Sequence, residues 1–467
     1  MKLVKMSLAA AMLMGASAYA IDNVKVDGSA KLYYDTASTK TEAPAGDVKT
    51  DMFDRAGSNG QVALDLGATA DLTKGVSAGV RLAVTDTLGL EQNLVSGTWA
   101  GPIAWAGVSR NGAKALPGDY ATQWWFSEAW VAATLGKTTA KVGRMPLDTP
   151  LAFSETWNIA QNTFTSAVLL NQDLPDTTLV GAYVGQSNGA PLGTTVGYAG
   201  SDWSPFQAYT TYNNMAAVLD ALGLTSNAAV EGFGGQGAYA AGIVNNSFKP
   251  LTLQAWYYDV IEVATAYWLQ ADLNMGGLLV GAQYADMSPA NDIYSVSDGS
   301  TIDASDIKDS TAYAIMLGYS IENVVTLKAA FSQTDKKGIL NIQNTATGTQ
   351  SKLYTEAWWN YGIVGLPGTT AWMLAADGEI QDMFGWFAQY NNFEVQPDYN
   401  YLGLGKPDKD KAQEFTLGVN KTFGALDTSL AYIHANMDFS DGLLQMVTGK
   451  SGDYTEDRLQ VYLTLNF

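Results

Sequence analysis

Charged side chains set into alternating stretches carry most of the chemistry this chain can offer. Lys31, Asp65, Arg81, Glu128, Asp272, Lys328, Asp427 and Arg458 each fall on the polar side of a segment whose other side is apolar. Charges facing one narrow aqueous passage select ions by sign, and opposed acids and bases orient a dipolar solute. The plainer reading of each is a solvated group or a wall salt bridge. A second cluster, Asp292, Asp298, Asp303, Asp306 and Asp309, could offer oxygen ligands to Ca²⁺, with Asp303, Asp306 and Asp309 closest in sequence. It lacks the EF-hand spacing, so a solvated loop is the favoured reading. Gly185 to Gly189 matches the G-x-S-x-G elbow of hydrolases, whose Ser187 would need a His base. The chain has one His, His434, far along the sequence, and Asn188-Gly189 reads as a turn. Gly232, Gly234 and Gly237 match G-x-G-x-x-G without a strand–helix–strand context. There is no H-E-x-x-H and no Cys, hence no Cys/His metal set. We expect no catalytic residue and no cofactor.

The segments that position these charges have a period of two. The final residues, DRLQVYLTLNF, put Leu459, Val461, Leu463, Leu465 and Phe467 on one side and Arg458, Gln460, Tyr462, Thr464 and Asn466 on the other. Such a period is that of a strand with one apolar face. Val24 to Tyr34, Val62 to Leu72 and Val76 to Val84 repeat it, the last two joined at Thr73–Gly75. It returns at Glu128–Leu135, Leu251–Tyr258, Val263–Leu273, Leu278–Tyr284, Tyr313–Ile321, Val325–Gln333, Phe415–Val419 and Leu426–Tyr432. Weaker stretches lie at Lys141–Met145, Thr178–Val184, Thr194–Tyr198, Tyr239–Phe248, Thr370–Ala376 and Gly385–Phe393. The total is about 16 to 20 strands. A short helix is expected within Asn213–Asn227.

Short turns at Thr73–Gly75, Met275–Gly277, Glu322–Asn323 and Gly424–Ala425 alternate with long loops. The loops are Ala37–Ser58, Gly89–Gln123, Met287–Ser310, Asp335–Ser351, Gln396–Lys411 and Ser440–Glu456. That asymmetry marks a transmembrane antiparallel β-barrel of about 16 to 18 strands, 18 favoured, with short periplasmic turns and long extracellular loops. In lipid an unpaired backbone group costs several kcal/mol, so the sheet must close. At this strand number the lumen admits an aqueous channel. Tyr34, Trp124, Trp125, Tyr257, Tyr284, Tyr319 and Tyr432 are candidates for interfacial girdles. The alternative architecture is a secreted β-sandwich or β-helix.

Residues 1–20 read as a cleaved signal peptide. Lys2 and Lys5 precede the apolar Leu8–Met14 stretch, and Ala18-Tyr19-Ala20 supplies the cleavage site. Residues 21–467 then form one domain. Net charge is −20, from 26 bases and 46 acids, and loss of Lys2 and Lys5 makes it −22. That balance disfavours nucleic acid and favours cations.

The stretch Ser127–Pro150, SEAWVAATLGKTTAKVGRMPLDTP, resembles Gram-negative porins, in which an EAWVG-type strand precedes a VGR strand and a long loop. Leu174–Gly185, Leu251–Asp286 and Asp309–Ser320 resemble the substrate-specific porins of pseudomonads and the major outer membrane proteins of Campylobacter relatives. The resemblance implies a 16- to 18-stranded barrel in the outer membrane of a Gram-negative bacterium. It also implies a homotrimer, a loop folded into the pore, and handling of the terminal Phe467 by the barrel assembly machinery. The infolded loop would be Gly89–Gln123 or Met145–Phe164. The family pattern favours the second, adding Asp148 and Glu155. Arg144 shares phase with Val142, which points it to lipid unless the strand ends or bulges at Gly143; it is a further pore candidate. The expected function is passive diffusion of ions and small hydrophilic solutes, with mild cation preference. The alternatives are a selective uptake channel for a small organic solute, an outer-membrane hydrolase using Ser187 and His434, and a purely structural barrel.

Overall fold

The computed structural model describes residues 21–42, 48–54, 57–86, 98–100, 103–106, 123–157, 159–187, 224–226, 237–261, 264–289, 294–296, 308–345, 350–381, 383–400, 406, 408–439 and 452–467. Eighteen long strands follow one another around a closed wall. The first six are β1 (Asp22–Thr41), β2 (Ser58–Thr73), β3 (Val76–Asp86), β4 (Gln123–Leu135), β5 (Thr138–Met145) and β6 (Phe164–Asn171). Next come β7 (Thr177–Ser187), β8 (Ala238–Asn245), β9 (Leu251–Val260), β10 (Ala264–Met275), β11 (Leu278–Pro289) and β12 (Ser310–Ile321). The circuit finishes with β13 (Val325–Thr334), β14 (Thr369–Ile380), β15 (Phe384–Val395), β16 (Asp410–Phe423), β17 (Leu426–Phe439) and β18 (Gly452–Asn466).

Each strand pairs antiparallel with its chain neighbours, and β18 returns to β1 in register from Ser29↔Asn466 to Thr41↔Tyr454. Phe467 and Gly28 exchange backbone hydrogen bonds of 2.8 and 2.9 Å, so the ladder holds the chain's last residue. Closure leaves no sheet edge among these strands, as a lipid environment requires. Eight turns of two to five residues lie at one end, as at Gly276–Gly277, where φ of +58° and +89° fits a tight hairpin. The long connections lie at the other end, together with one short link, 261–263, between β9 and β10.

The faces follow the alternation. On β12, Tyr313, Ile315, Leu317, Tyr319 and Ile321 are exposed on the outer face, while Ala312 and Ala314 are buried on the inner one. A band of large apolar side chains covers the outside, with Tyr257 packed on Tyr267 and Tyr183 on Tyr239. Trp125 corrects the girdle expectation. It lies in the inner cluster with Tyr33, Ala63 and Ala83, whereas its neighbours Trp124 and Phe126 face out. A bulge opposite Arg81/Leu82 then brings both Ser127 and Glu128 toward the inner side.

β6 went unpredicted, because its AVLL run is apolar on both sides and shows no period of two. The expected helix within Asn213–Asn227 is absent at its described residues, since Leu224–Ser226 is extended and pairs with Tyr294–Val296. The Thr194–Tyr198 strand, residues 1–20 and most of Gly89–Gln123 lie outside the described residues.

The larger departure is inside. Two connections, 146–163 and 335–368, turn inward and form a second layer against the wall. Their buried side chains include Leu151, Ile159, Ile339, Leu340, Ile342 and Val364. The inner faces of β9 to β17 meet that layer with small or flat residues. Ala266, Ala285, Ala314, Ala371, Ala412, Ala435 and Trp268 all sit in this apolar cluster. Only small wall residues leave room for an inner layer within a barrel of fixed diameter.

Candidate functional site

The segment 335–368 crosses the lumen and is tied to the wall at successive points. Gln283 on β11 donates from Nε2 to the Lys352 carbonyl at 2.9 Å and accepts from the Tyr354 amide at 3.1 Å. The Tyr354 hydroxyl donates to Asp272 on β10, and Gln270 Nε2 donates to the same carboxylate at 2.7 Å. The hydroxyl end of the Tyr354 ring occupies the space over Gly281, where a Cβ would come within 2.5 Å of it. Asn391 on β15 donates to the Thr355 carbonyl at 2.8 Å, and the Ser332 and Thr355 hydroxyls are in direct contact. Glu414 on β16 is buried and accepts from the Trp359 amide at 2.9 Å, the Asn360 amide at 2.8 Å and Asn360 Nδ2 at 2.8 Å. A buried carboxylate is stable only with such a set of donors.

The segment 146–163 meets it from the opposite side. Glu155 is buried at the junction. It accepts from Asn344 Nδ2 at 2.9 Å, the Gln350 amide at 3.1 Å and Trp157 Nε1 at 2.7 Å. Thr345 caps the Leu151 carbonyl with both its amide and its hydroxyl, at 2.7 Å each. Asp148 pairs with Lys352 at the exposed margin. Tyr462, the aromatic on the polar side of the last strand, donates to the Trp157 carbonyl and packs on Tyr33 at 4.5 Å. Packing around the Glu356 carboxyl pushes it well above the usual carboxylate range. The Ser351 amide and Lys352 oppose the shift, and the Glu155 charge adds to it. Burial likewise raises the Tyr361 hydroxyl.

Register places Lys31, Asp65, Arg81, Glu128, Asp272, Lys328, Asp427 and Arg458 on the inner face. They form local pairs there. Lys31 meets Asp65 at 2.6 Å, and Arg81 bridges Asp27 at 2.5 Å and Glu128 at 3.0 Å. Lys328 lies 3.7 Å from Asp377. Asp427 accepts from Thr422 at 2.7 Å and Asn466 at 2.8 Å beside the short turn. Lys141 sits 3.9 Å over the Trp130 ring. Arg458 is held between buried Asp35 and Glu456, with Nε 2.6 Å from Glu456, and its guanidinium covers the Trp359 ring at 4.0 Å. Arg458 therefore ties wall to infolded segment. Arg144 stays in phase with Val142 and Ala129, with no register shift at Gly143, and donates to the Phe126 carbonyl at 2.8 Å.

Sequence reasoning missed most of 335–368. It took Asp335–Ser351 as an external loop and did not assign the run after it. The missed signal is composition, since Leu353, Tyr354, Trp358, Trp359, Tyr361, Ile363, Val364 and Leu366 are too apolar for a solvated loop. Glu414 stands one residue before the Phe415–Val419 stretch and in its inward phase. The hydrolase pair does not assemble. Ser187 ends β7 while His434 faces outward on β17, eight strands away by the shorter path, hydrogen-bonded to Asp457 at 2.9 Å. Asp292, Asp298, Asp303 and Asp306 lie outside the described residues, and Asp309 is exposed. Among the described residues no three His, Cys, Asp or Glu side chains converge as a metal set.

A family model described as Gram-negative porin matches residues 7–357. No curated protein is similar in sequence. Among solved structures, Pseudomonas aeruginosa OccK9 (OpdG) is similar at TM-score 0.62 and 11% identity, covering 95% of this chain and 99% of its own. Acinetobacter baumannii OccAB1 is similar at TM-score 0.62 and 13% identity, covering 95% and 97%. Pseudomonas aeruginosa OpdK, solved with vanillate, is similar at TM-score 0.61 and 12% identity, covering 96% and 99%.

Proposed function

This chain belongs to the Gram-negative porin family, and from that premise we propose that it is a selective uptake channel for small organic solutes rather than an unrestricted diffusion pore. It is an outer-membrane porin, and solutes cross it by diffusion, with no bond made or broken. The observation that carries selectivity is the meeting of 146–163 and 335–368 inside the lumen, locked by Glu155 and Thr345. An open bore of 18 strands would pass most hydrophilic solutes. Two infolded segments leave less of that bore open, and Asp148, Lys352 and Trp358 are side chains of theirs that stay wholly or partly exposed. The relative solved with vanillate is consistent with an organic solute here. Inorganic ions are proposed to pass with modest cation preference, because acids outnumber bases 46 to 26.

The short turns are proposed to face the periplasm, residues 1–20 to be removed on export, and the mature chain to trimerise after insertion by the barrel assembly machinery. Planar-bilayer recording on purified protein tests the central reading. Saturable block of conductance by a preferred solute supports selectivity. Conductance that responds only to solute size contradicts it. Reversal potentials favouring anions would overturn the cation preference, and lower salt should enlarge it.

A further inference from the structure

We propose that Trp358 is a stacking platform in the lumen for the flat, unsaturated ring of a permeating solute. The inference rests on reading the molecule as a channel, and names the kind of solute it selects. Among the described residues of the two infolded segments, Trp358 is the one large apolar side chain left exposed, at 40%. Its contacts lie on the inner wall at two separated strands. The indole packs on Phe387 of β15, with centroids 4.5 Å apart and planes 30° apart. Its Nε1 donates to Gln460 Oε1 of β18 at 2.9 Å. Enclosed between these strands, the exposed part of the ring can only face lumen water.

The wall is shaped for this side chain. Phe387, Gly418, Ala431 and Gln460 form one continuous register row across β15 to β18. Phe387 occupies the space over Gly418, where a Cβ would stand 2.1 Å from its ring. The two small residues between Phe387 and Gln460 leave a seat in which the indole is held at one face and one edge. The seat is not needed to fasten the segment. That is done next door by Trp359 on Arg458 and by Asn360 on Glu414. A rigid, pre-oriented indole loses little freedom when a ring settles on it. Stacked or tilted aromatic pairs gain about 0.5–1.5 kcal/mol beyond simple burial, or roughly two- to tenfold in affinity. A puckered saturated ring of equal charge gains the burial but not the stacking.

The test compares benzoate with cyclohexanecarboxylate as blockers of single-channel current through the full-length protein. Both carry one carboxylate and a six-membered ring. We expect benzoate to block with about two- to tenfold lower half-blocking concentration. Trp358→Phe should keep that preference and Trp358→Leu should abolish it, each read as the ratio of the two half-blocking concentrations within the same variant, which a change in open-channel current does not move. Equal block by the two acids in the wild type, or a preference that survives in Trp358→Leu, overturns the proposal while leaving the channel reading intact. Absence of any ion current from the folded wild-type protein overturns the channel reading itself.

Discussion

Two stretches of one wall treat their inner faces in opposite ways. On β1 to β5 the half of the lumen side nearer the short turns carries paired polar groups, with Lys31 on Asp65, Arg81 between Asp27 and Glu128, and Lys141 on Trp130, while Tyr33, Ala63, Ala83 and Trp125 beyond them pack on Ile159 and Ala160. The paired groups remain partly wet. On β10 to β17 the lumen side is largely small or apolar beneath residues 335–368, with Ala285, Ala314, Ala371, Ala412, Ala435 and Trp268, and its polar groups Gln283, Asn391 and Glu414 are used to hold that segment. The paired half of the first stretch behaves as the polar lining of an aqueous bore. The second behaves as one layer of a two-layer core, apolar inside and outside alike. Strands buried on both faces lose the polar half of their alternation. A polar inner face in this barrel therefore marks where water runs, and an apolar one marks where chain has folded in.

The sharpest way to break that contrast is to charge the dry side. Ile342→Asp puts a carboxylate into the apolar layer and should cost upward of about 4 kcal/mol, enough to expel the segment while the strand ladder persists. Single-channel conductance should rise severalfold, approaching that of an open barrel. Next in size is Arg458→Ala. It strands the buried Asp35 and Glu456 carboxylates and should destabilise by about 3 kcal/mol, read as a lower unfolding temperature in detergent. Asp35→Asn with Glu456→Gln in the same chain should recover part of that loss.

Smaller is the pH response of the inner layer. A carboxyl whose folded value is raised keeps its proton in the folded state. The stability linked to Glu356 is thus complete below its ordinary value of 4.5 and is lost as pH climbs toward the raised one. The unfolding temperature should fall as pH rises through that window, and Glu356→Gln should flatten the slope. Smallest is the wet side. Lys31→Ala breaks a partly solvated pair and should change stability by at most about 1 kcal/mol, with unaltered conductance steps and a measurable shift in reversal potential.

How much of this was readable beforehand follows the same division. Wet-side strands advertise themselves. In VSAGVRLAV of β3, Ser77 and Arg81 alternate with Val76, Val80 and Leu82, so period and facing direction could be assigned together. The last strand was legible from Leu459, Val461, Leu463, Leu465 and Phe467 alternating with Arg458, Gln460, Thr464 and Asn466, whereas closure followed from the cost of unpaired backbone in lipid. Dry-side strands such as STAYAIMLGYS still showed a period, large against small rather than apolar against polar, and what covered the small side was invisible. The contacts that hold the cover join distant residues. Arg458 reaches Asp35 across 423 positions, and Asn344 reaches Glu155 across 189. No local pattern encodes such pairs, because wall closure brings them together. Single charges were easy to nominate as pore lining, but Arg458 shows that an inward charge can be spent on fastening the inner layer.

The seating of residues 335–368 within the barrel is open to a direct measurement, because the chain has no cysteine of its own. Ser332 on β13 and Thr355 on the infolded segment touch through their hydroxyls, so Ser332→Cys with Thr355→Cys brings two thiols within bonding reach. With the segment seated as described, mild oxidation should form the disulfide quantitatively by mass spectrometry in the folded, membrane-inserted protein, and conductance should be the same oxidised and reduced. If both thiols stay free and are readily alkylated by a bulky maleimide, the segment is not against the wall, and the two-layer account is contradicted.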